Sequence, residues 1–435
     1  MKPALAGFFV MENLFDLFYQ TSGVSTDTRK IEKDNLFIAL SGPNFNGNKF
    51  AKEAIEKGAK FAVVDDKNFA DNETIFYTNN TLEFLQDLAR YHRRKFNIPL
   101  LGITGSNGKT TSKELINSVL SSHFKTLCTV GNLNNHIGVP LTLLKLNEEH
   151  EIAIIEMGAN KLKDIEELCH IAEPNFGYIT NIGKAHLEGF INLEGVVKTK
   201  SELIDSIVLN TGTFFVNRND DVIFNAALER GVKIISYGST NSDMVNGKIE
   251  ALNPLLSFSY QTKDYHSPSL KTNLVGSYNL NNLLAAVTIG IHYKVPYDKI
   301  NSALENYVPS NNRSQITKTN RNTLIVDCYN ANPSSMRAAL ENFNQIQHEN
   351  KFVIIGDMLE LGIDSESEHQ NILDFCKDNE IKFYTVGKIF KNLNPKGFLN
   401  TDEIKSDRVL DELSNAFILL KGSRGIALEK LIELL

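Results

Sequence analysis

Short apolar runs and amphipathic stretches alternate along most of this 435-residue chain. Runs such as "IPLLGIT" (98–104) and "EIAIIEM" (151–157) are typical of buried strands. The stretch 109–124 instead spaces its apolar residues as one face of a helix does, at Leu115, Ile116, Val119 and Leu120. Because strands that alternate with helices favour parallel sheets, the pattern predicts an α/β protein.

The alternation falls into three blocks, at residues 1–95, 96–310 and 311–435. Length supports this division, since a domain averages about 150 residues. We expect strands at the apolar runs "NLFIAL", "AKFAVVDD", "ETIFYT", "FGYITNI", "GTFFVN", "TLIVDCY", "KFVIIGD", "KFYTVGK" and "AFILLKG". Helices are predicted over "FAKEAIEKGA", ending on Gly58, and after Pro333, which suits a helix start. The third block is predicted to be a second, smaller doubly wound unit.

The first residues, "MKPALAGFFVM", weakly resemble a signal peptide. Glu12 and Asp16 soon interrupt the apolar run, and no small-x-small cleavage site follows. From Met11 onward, Leu14, Leu17 and Phe18 have helical spacing. We therefore expect residues 1–10 to be a loose extension and Met11 to be an alternative start.

Composition narrows the classes of protein. The net charge is −7 and no long basic run occurs, which argues against a nucleic-acid partner. No apolar run reaches the roughly 18 residues that cross a membrane, so no membrane partner is expected. The four cysteines are Cys128, Cys169, Cys328 and Cys376. Because they are far apart in the sequence and form no C-x-x-C motif, we expect a reduced, cytoplasmic protein.

The stretch "LGITGSNGKTT" (101–111) is similar to a phosphate-binding loop but departs from the common pattern G-x-x-x-x-G-K-[ST]. Position 103 is isoleucine, and the glycines stand at 102, 105 and 108. A glycine turn between a buried strand and a helix still offers backbone N–H groups and a positive helix end to phosphate. Lys109 is placed to reach phosphate oxygens and Thr110 to bind magnesium. A chance G-K-T in an ordinary strand–turn–helix is the other interpretation.

Three further candidates are ambiguous on their own. Glu156 ends the strand "EIAIIE", where α/β sheets place ligands, and it is either a magnesium ligand or an exposed strand-end acid. His186 follows another strand, and a lone histidine is more often structural than a ligand. Lys198 and Lys200 are typical of solvated helix lysines.

Taken together, these residues resemble the Mur ligases, the ATP-dependent amino acid and peptide ligases of peptidoglycan synthesis. "TGSNGKTT" matches that family's loop, T-G-[ST]-x-G-K-[ST]-T, at every position. Other motifs resemble the members that add D-alanyl-D-alanine to a UDP-N-acetylmuramoyl-tripeptide: "STDTRK", "LFIALSGPNFNGNKFAKEAIEKGA", "GNLNNHIGVPLTLL", "EMGANKLKDIEEL", "TNIGKAHLEGF", "DCYNANPSSM" and "GDMLELG". The resemblance runs from about residue 12 to the end. One departure is "NGN" at 46–48, where many relatives have D-G-H.

The resemblance implies a three-domain fold: an N-terminal UDP-sugar-binding α/β domain (1–95), a central P-loop-type ATPase domain with a parallel sheet (96–310) and a C-terminal Rossmann-like domain (311–435). It implies that the ATP phosphates are bound by Gly105, Ser106, Asn107, Gly108, Lys109, Thr110 and Thr111. It implies that Asn282 contacts the adenine, that Asp327 binds the ribose and that Arg313 lies near the γ-phosphate of ATP. The implied ligands of two magnesium ions are Thr110, Glu156, His186 and Lys200. In this family pattern, Lys200 would bind metal as a carbamate. Two asparagines, Asn330 and Asn332, would lie near the face of the C-terminal domain that borders the active-site cleft.

The implied reaction proceeds through an acyl phosphate, with Lys109, Lys200, His186 and Arg313 as catalytic residues and no separate organic cofactor. A monomer is expected. Two alternatives remain: a folylpolyglutamate-synthase-like or diaminopimelate-adding ligase, and a non-catalytic ATP-binding switch. Whether the third residue of the tripeptide is diaminopimelate or lysine is open.

Overall fold

The computed structural model describes residues 14–183, 187–190, 192–240, 242–310 and 312–435. Residues 14–18 are helical and bury Phe15 and Phe18, which confirms the predicted helix over the part that the structure describes. Met11 and the predicted extension lie outside them. In the described part of the chain, no helix is both long enough and apolar enough to cross a membrane.

A small parallel sheet with helices follows. Its elements are β1 (Val24–Ser25), β2 (Leu36–Ile38), α1 (Ala51–Glu56), β3 (Phe61–Val64), β4 (Ile75–Tyr77) and α2 (Thr81–Arg93). The strand order is β1-β2-β3-β4, and Leu36 stands opposite Phe61 in the parallel register. Buried side chains of the sheet and of α1, such as Phe37 and Ala54, form its core. The predicted helix α1 is confirmed, and Gly58 takes a φ of +107° just beyond its end.

The elements that follow, up to residue 310, are β5 (Leu100–Thr104), α3 (Lys109–Ser121), β6 (Thr126–Cys128), α4 (Gly138–Leu143), β7 (Ile152–Glu156), α5 (Asp164–Ala172), β8 (Phe176–Ile179), α6 (Leu187–Phe190), α7 (Leu193–Leu209), β9 (Thr213–Asn217), α8 (Asp221–Glu229), β10 (Lys233–Gly238), β11 (Val245–Leu252), β12 (Leu255–Gln261), β13 (Leu270–Val275), α9 (Asn279–His292) and α10 (Tyr297–Asn306). Every apolar residue predicted for the inner face of α3 is buried. The predicted strands β5, β7, β8 and β9 are confirmed.

The last block contains β14 (Gln315–Lys318), β15 (Thr323–Asp327), α11 (Pro333–Gln345), β16 (Lys351–Gly356), α12 (Ser365–Asp378), β17 (Phe383–Val386), α13 (Lys388–Leu393), α14 (Thr401–Asp407) and β18 (Phe417–Lys421). Its sheet has the order β14-β15-β18-β16-β17. The strand β14 pairs antiparallel with β15, and the other pairs are parallel. Two apolar cores are built on the strands of this sheet, and one of them takes Met336, Leu340 and Phe343 from α11, the helix predicted after Pro333.

The chain folds into two compact units. The first comprises Met1–Gly102, Lys125–Met157 and Glu166–Pro174, and the second Ile103–Phe124, Gly158–Ile165 and Asn175–Leu435. Within the first, β6 pairs parallel with β7, and α2 packs on α4.

In the second unit the strands from 103 to 275 follow the order β13-β12-β11-β10-β9-β8-β5. The pairs β8–β9, β9–β10 and β10–β11 are parallel, as predicted for this block. The pairs β11–β12 and β12–β13 are antiparallel, an extension that the apolar runs did not predict.

Candidate active site

The chain leaves β5 in a tight turn, the glycine loop (residues 105–108), and enters α3 at Lys109. Gly105 has φ +144° and Gly108 has φ +75°, backbone conformations that side chains disfavour. A Cβ at Gly105 would stand 1.9 Å from Thr180 Oγ1, so this position has no room for a side chain. The turn therefore leads directly into the start of α3, where backbone N–H groups and the positive end of the helix dipole favour phosphate binding.

Residues that follow β8 hold the glycine loop in shape. Asn181 accepts from the Asn107 N–H through its Oδ1 at 3.0 Å, and its Nδ2 donates to the Asn107 carbonyl at 2.9 Å. Thr180 Oγ1 donates to the same carbonyl at 2.6 Å. Ser106 Oγ donates to the Gly183 carbonyl at 3.0 Å. Because these bonds fix both peptide groups of Asn107, the loop is organised by its neighbour strand and not by its glycines alone.

The first turn of α3 carries the residues predicted for phosphate and metal. The Lys109 ammonium donates to the carbonyls of Gly105 at 2.6 Å and Ser106 at 3.1 Å, so it lies over the loop. Thr110 is buried and Thr111 half-buried. A single helix turn thus gathers a cation and two hydroxyls beside the loop backbone.

Asn282 of α9 lies directly behind the loop. Its Oδ1 accepts from Ser112 Oγ at 2.9 Å, and its Nδ2 donates to Asn279 Oδ1 at 2.8 Å. A Cβ at Gly108 would stand 3.1 Å from Asn282 Oδ1. The buried amide thus ties α9 to α3 behind the loop; its contact with adenine stays a prediction.

Lys200 is 2% exposed on α7, while Lys198 is exposed. The expectation of solvated helix lysines is therefore wrong for Lys200. Its Nζ lies 5.5 Å from the centroid of the Phe190 ring. Burial, followed by the charge of Lys109, lowers the pKa of Lys200 well below its ordinary value. Both effects favour a neutral amine beside the glycine loop.

Glu156, at the end of β7, belongs to the first unit and is 1% exposed, so it is not an exposed strand-end acid. One carboxylate oxygen accepts from Asn134 Nδ2 at 2.8 Å. The predicted ligand His186 lies outside the described residues. The residues that are described contain no cluster of three or more His, Cys, Asp or Glu that could hold a metal. The predicted metal set therefore stays a prediction.

The predicted residues of the last block lie at the carboxyl edge of its sheet. Arg313 Cζ stands 3.7 Å from the centroid of the Tyr329 ring. Asp327 pairs with the buried Lys421 at 2.6 Å and accepts from the Ser314 N–H at 3.3 Å. The sequence did not single out Lys421 or Tyr329 as site residues; the runs "AFILLKG" and "DCYNANP" that contain them were the available signal.

Asn332 joins this edge to the glycine loop. It caps α11 through Ser335, and its Nδ2 donates to Asn107 Oδ1 at 2.7 Å. A Cβ at Gly183 would stand 3.0 Å from Ser334 Oγ. The start of α11 therefore touches both the loop and the segment that supports it; the expected position of Asn332 near a substrate cleft stays a prediction.

Comparison with known proteins identifies the chain. Family models match residues 20–93 (Mur ligase family, catalytic domain), 103–290 (Mur ligase middle domain) and 312–416 (Mur ligase, glutamate ligase domain). A UDP-N-acetylmuramoyl-tripeptide–D-alanyl-D-alanine ligase of Buchnera aphidicola is 36% identical over 94% of this chain and 91% of its own. The chain belongs to the Mur ligase family.

The fold of this Mur ligase is that of solved relatives. A structure of MurF from Acinetobacter baumannii has a TM-score of 0.86 and 30% identity, covering 97% of both chains. MurF ligase from Thermotoga maritima, solved in complex with ADP, has a TM-score of 0.85 at 23% identity, covering 96% of this chain and 97% of its own. The predicted three-domain α/β Mur ligase fold is therefore confirmed, and the chain is an ATP-dependent ligase. The boundaries at 95 and 310 stay predictions.

Proposed function

We propose that this Mur ligase joins D-alanyl-D-alanine to UDP-N-acetylmuramoyl-tripeptide at the expense of ATP, giving UDP-N-acetylmuramoyl-pentapeptide, ADP and phosphate. The observation that carries this proposal is the match, over nearly the whole chain, to a ligase named for that reaction. The glycine loop supports the ATP half of the reaction, because its backbone is shaped for phosphate. The product serves peptidoglycan synthesis, hence cell-wall biogenesis and cell division. We also propose that the enzyme acts in the cytoplasm as a monomer.

The chemistry sets the task of the protein. A carboxylate does not condense with an amine in water, because oxide is a poor leaving group. The terminal carboxylate of the tripeptide therefore attacks the γ-phosphorus of ATP, and ADP leaves. The amine of the dipeptide then attacks the carbonyl carbon of the acyl phosphate, and the tetrahedral intermediate expels phosphate. Both steps bring anions together, so positive charge must be positioned in advance.

The described residues fit that task. The glycine loop and Lys109 would hold the β- and γ-phosphates, and Arg313 would face the γ-phosphate from the last block. Asn282 would approach the adenine and Asp327 the ribose. The contact between Asn332 and Asn107 supports a cleft in which the last block meets the loop. Closure there would exclude water, which would otherwise hydrolyse the acyl phosphate.

Magnesium fits the proposed donor set, because hydroxyl, carboxylate and carbamate oxygens are the hard ligands it prefers. Thr110, Glu156 and carbamylated Lys200 would supply those oxygens, and His186 a nitrogen. Bound magnesium would neutralise charge on the phosphate oxygens. Lys200 suits the carbamate because its amine is buried and its pKa lowered. The neutral amine forms an N–C bond to carbon dioxide and loses a proton, which turns an uncharged amine into an anionic carbamate.

The alternatives are less well supported. A diaminopimelate-adding or folylpolyglutamate-synthase-like ligase would share the loop, Glu156 and His186, but the full-length relatives carry the D-alanyl-D-alanine name. A non-catalytic switch does not agree with membership in this family.

A phosphate-release assay tests the proposal. Release should require ATP, magnesium, the UDP-muramoyl-tripeptide and D-alanyl-D-alanine together, and omission of any one should abolish it. Running the assay with the diaminopimelate and the lysine tripeptide would identify the third residue. Faster release with a UDP-muramoyl-dipeptide and free diaminopimelate, or with a folate and glutamate, would contradict the proposed substrates.

A further inference from the structure

Three strand ends of the last sheet are joined by one buried side chain, Ser423, which follows β18. Its Oγ accepts from the Leu359 N–H at 3.0 Å, and its own N–H donates to the Asp357 carbonyl at 3.1 Å. The same Oγ donates to the Ala331 carbonyl at 3.5 Å. Arg424 follows immediately, in a short 3-10 turn. The backbone of Arg424 is therefore anchored where the carboxyl ends of β15, β16 and β18 meet, the edge at which α/β sheets bind ligands.

Two guanidinium groups share the ring of Tyr329 at this edge. Arg313 Cζ lies 3.7 Å from its centroid, and Arg424 Cζ lies 5.3 Å from it. The two guanidinium carbons are therefore no more than 9.0 Å apart, the sum of those distances. An aromatic face attracts each cation, but the cations repel each other.

No acid of the described residues neutralises this pair. Among the described residues, no carboxylate oxygen lies within 4.0 Å of either guanidinium, the limit for an ion pair. The buried Nε of Arg313 has no hydrogen-bond acceptor among the same residues. Two acids at this edge are already engaged: Asp327 pairs with Lys421, and the Asp357 carboxylate accepts from the backbone N–H groups of residues 389 and 390. Arg337 offers a contrast on the same sheet's helix layer, since it lies 4.0 Å from the Phe375 ring but also pairs with Glu341 at 2.6 Å. Arg313 and Arg424 thus form an uncompensated cationic pair that an anion would stabilise.

We propose that Arg424 binds the terminal carboxylate of the incoming D-alanyl-D-alanine, and that Tyr329 is a positioning residue that aims its guanidinium. This inference rests on the proposed function, which supplies a dipeptide with one free carboxylate. Arginine binds a carboxylate through two parallel N–H···O bonds, which fixes the dipeptide's direction as well as its place.

The spacing suits the reaction. An extended dipeptide spans at most about 7 Å. With its carboxylate on Arg424, its amine would reach toward Arg313, which is proposed to face the γ-phosphate and hence the acyl phosphate. One arginine would hold the far end of the nucleophile while the other neutralises the group it attacks. ATP is a poorer occupant for Arg424, because the glycine loop and Lys109 already provide for its phosphates.

A matched pair of variants tests this assignment in the full-length enzyme. Arg424→Gln should raise the KM for D-alanyl-D-alanine about 10- to 100-fold, the value of a charge-assisted pair, and leave the KM for ATP within about twofold. Arg424→Lys, which keeps the charge without the planar fork, should fall between. The control Arg337→Gln removes an exposed, ring-stacked but ion-paired arginine and should change neither KM.

The decisive readout uses D-alanyl-D-alaninamide, which lacks the carboxylate. The unmodified enzyme should prefer the acid to the amide by about the factor that Arg424→Gln loses, and Arg424→Gln should not discriminate between them. Retention of that preference by a folded Arg424→Gln enzyme, with an unchanged melting temperature, would overturn the assignment. Failure of the unmodified enzyme to ligate the dipeptide at all would instead overturn the proposed function.

Tyr329 gives an independent check. Tyr329→Phe keeps the ring and should preserve the acid-over-amide preference, whereas Tyr329→Leu removes it and should weaken the preference at least several-fold. A purely structural role for Tyr329 would lower the melting temperature without changing that preference, and this result would remove Tyr329 from the assignment.

Discussion

Two lysines two positions apart on α7 have opposite surroundings. Lys200 is buried against Phe190, near the charge of Lys109, and Lys198 is exposed to solvent. Successive helix residues turn by about 100°, so the two side chains point about 200° apart. Only one of them is therefore in the environment that makes an amine neutral and able to take up carbon dioxide.

We predict that Lys200→Ala abolishes ligation while ATP binding persists, because the proposed contacts to the ATP phosphates lie on the glycine loop and the start of α3 and not on α7. Lys198→Ala is the control and should keep near-normal turnover. Small carboxylic acids should partly restore Lys200→Ala by occupying the position of the carbamate. Turnover assays and nucleotide titrations check both variants. Full activity in rigorously carbon-dioxide-free buffer, with an unmodified Lys200 in the active enzyme, would exclude the carbamate.

The buried amine should also reduce stability in a pH-dependent manner. Its pKa is lowered in the folded protein, so the unfolded chain binds more protons and unfolding is favoured below the ordinary lysine pKa of about 10.4. This penalty is complete below the folded pKa and disappears as pH rises through the unfolded value. In carbon-dioxide-free buffer, Lys200→Met should therefore raise the melting temperature more at pH 7 than at pH 10. For Lys198→Met no such trend is expected; equal gains at both pH values for Lys200→Met would contradict the argument.

Some of these residues could be found from the sequence and others could not. A local sequence motif contains Gly105, Gly108 and Lys109, and such a motif can be recognised without knowledge of the fold. The bond from Asn332 to Asn107 joins residues 225 positions apart, and no periodicity encodes it. The burial of Lys200 did have a signal in the sequence, because Val196 and Ile204 stand one helical turn before and after it and share the buried face of α7.

At the scale of elements, the junction of β5, the glycine loop and α3 depends on contact with the segment after β8. Gly105 and Gly131 both have positive φ, at +144° and +59°. Only at Gly105 does the missing Cβ make room for a neighbour, since nothing lies within 4 Å of a Cβ at Gly131. The two positions therefore separate backbone strain from steric exclusion.

We predict that Gly105→Ala severely weakens ATP binding and lowers stability by more than about 3 kcal/mol, because the new methyl group collides with Thr180 in addition to straining the backbone. Gly131→Ala should cost about 1 kcal/mol, from strain alone, and leave ATP affinity unchanged. Urea unfolding and nucleotide titration measure both. If Gly105→Ala bound ATP normally, the loop would not depend on this close approach.

Several of the strands that sequence patterns predicted are buried on both faces. β5, β7 and β9 are buried throughout, and each is a continuous apolar run. The antiparallel strands were missed because half of the residues of β11 are exposed and its sequence contains no continuous apolar run. In β12 every second residue is buried, as at Leu256, Phe258 and Tyr260, so a search for period-two alternation had a signal there.

At the scale of the whole chain, the sequence blocks and the compact units divide the protein differently. The first compact unit returns twice after residue 102, for Lys125–Met157 and Glu166–Pro174. Composition cannot show that these segments return to the first unit, because the division between the units is set by how the chain packs and is not marked by a linker sequence. The block 311–435, by contrast, lies entirely within the second unit and carries its own sheet.

These two situations predict different behaviour for excised fragments. A fragment of residues 311–435 should fold alone, because one of its cores lies within it and the other, among the described residues, draws from outside it on Val275 and the flanking Leu255. It should show a cooperative thermal transition and native-like circular dichroism. Its affinity for ATP should be negligible, since the glycine loop is absent.

A fragment of residues 1–95 should not fold stably, although it contains the whole sheet β1–β4. Its helix α2 packs on α4, and His92 Nε2 bonds to the Leu146 carbonyl at 2.9 Å, so the cut removes the partner of a buried face that includes Phe84, Leu85 and Leu88. Exposing that face should cause aggregation or a broad, non-cooperative transition. Calorimetry of the two fragments side by side decides the matter. A sharp transition for 1–95 would mean that its small sheet alone supplies enough buried area, and that the boundary at residue 95 is also an energetic one.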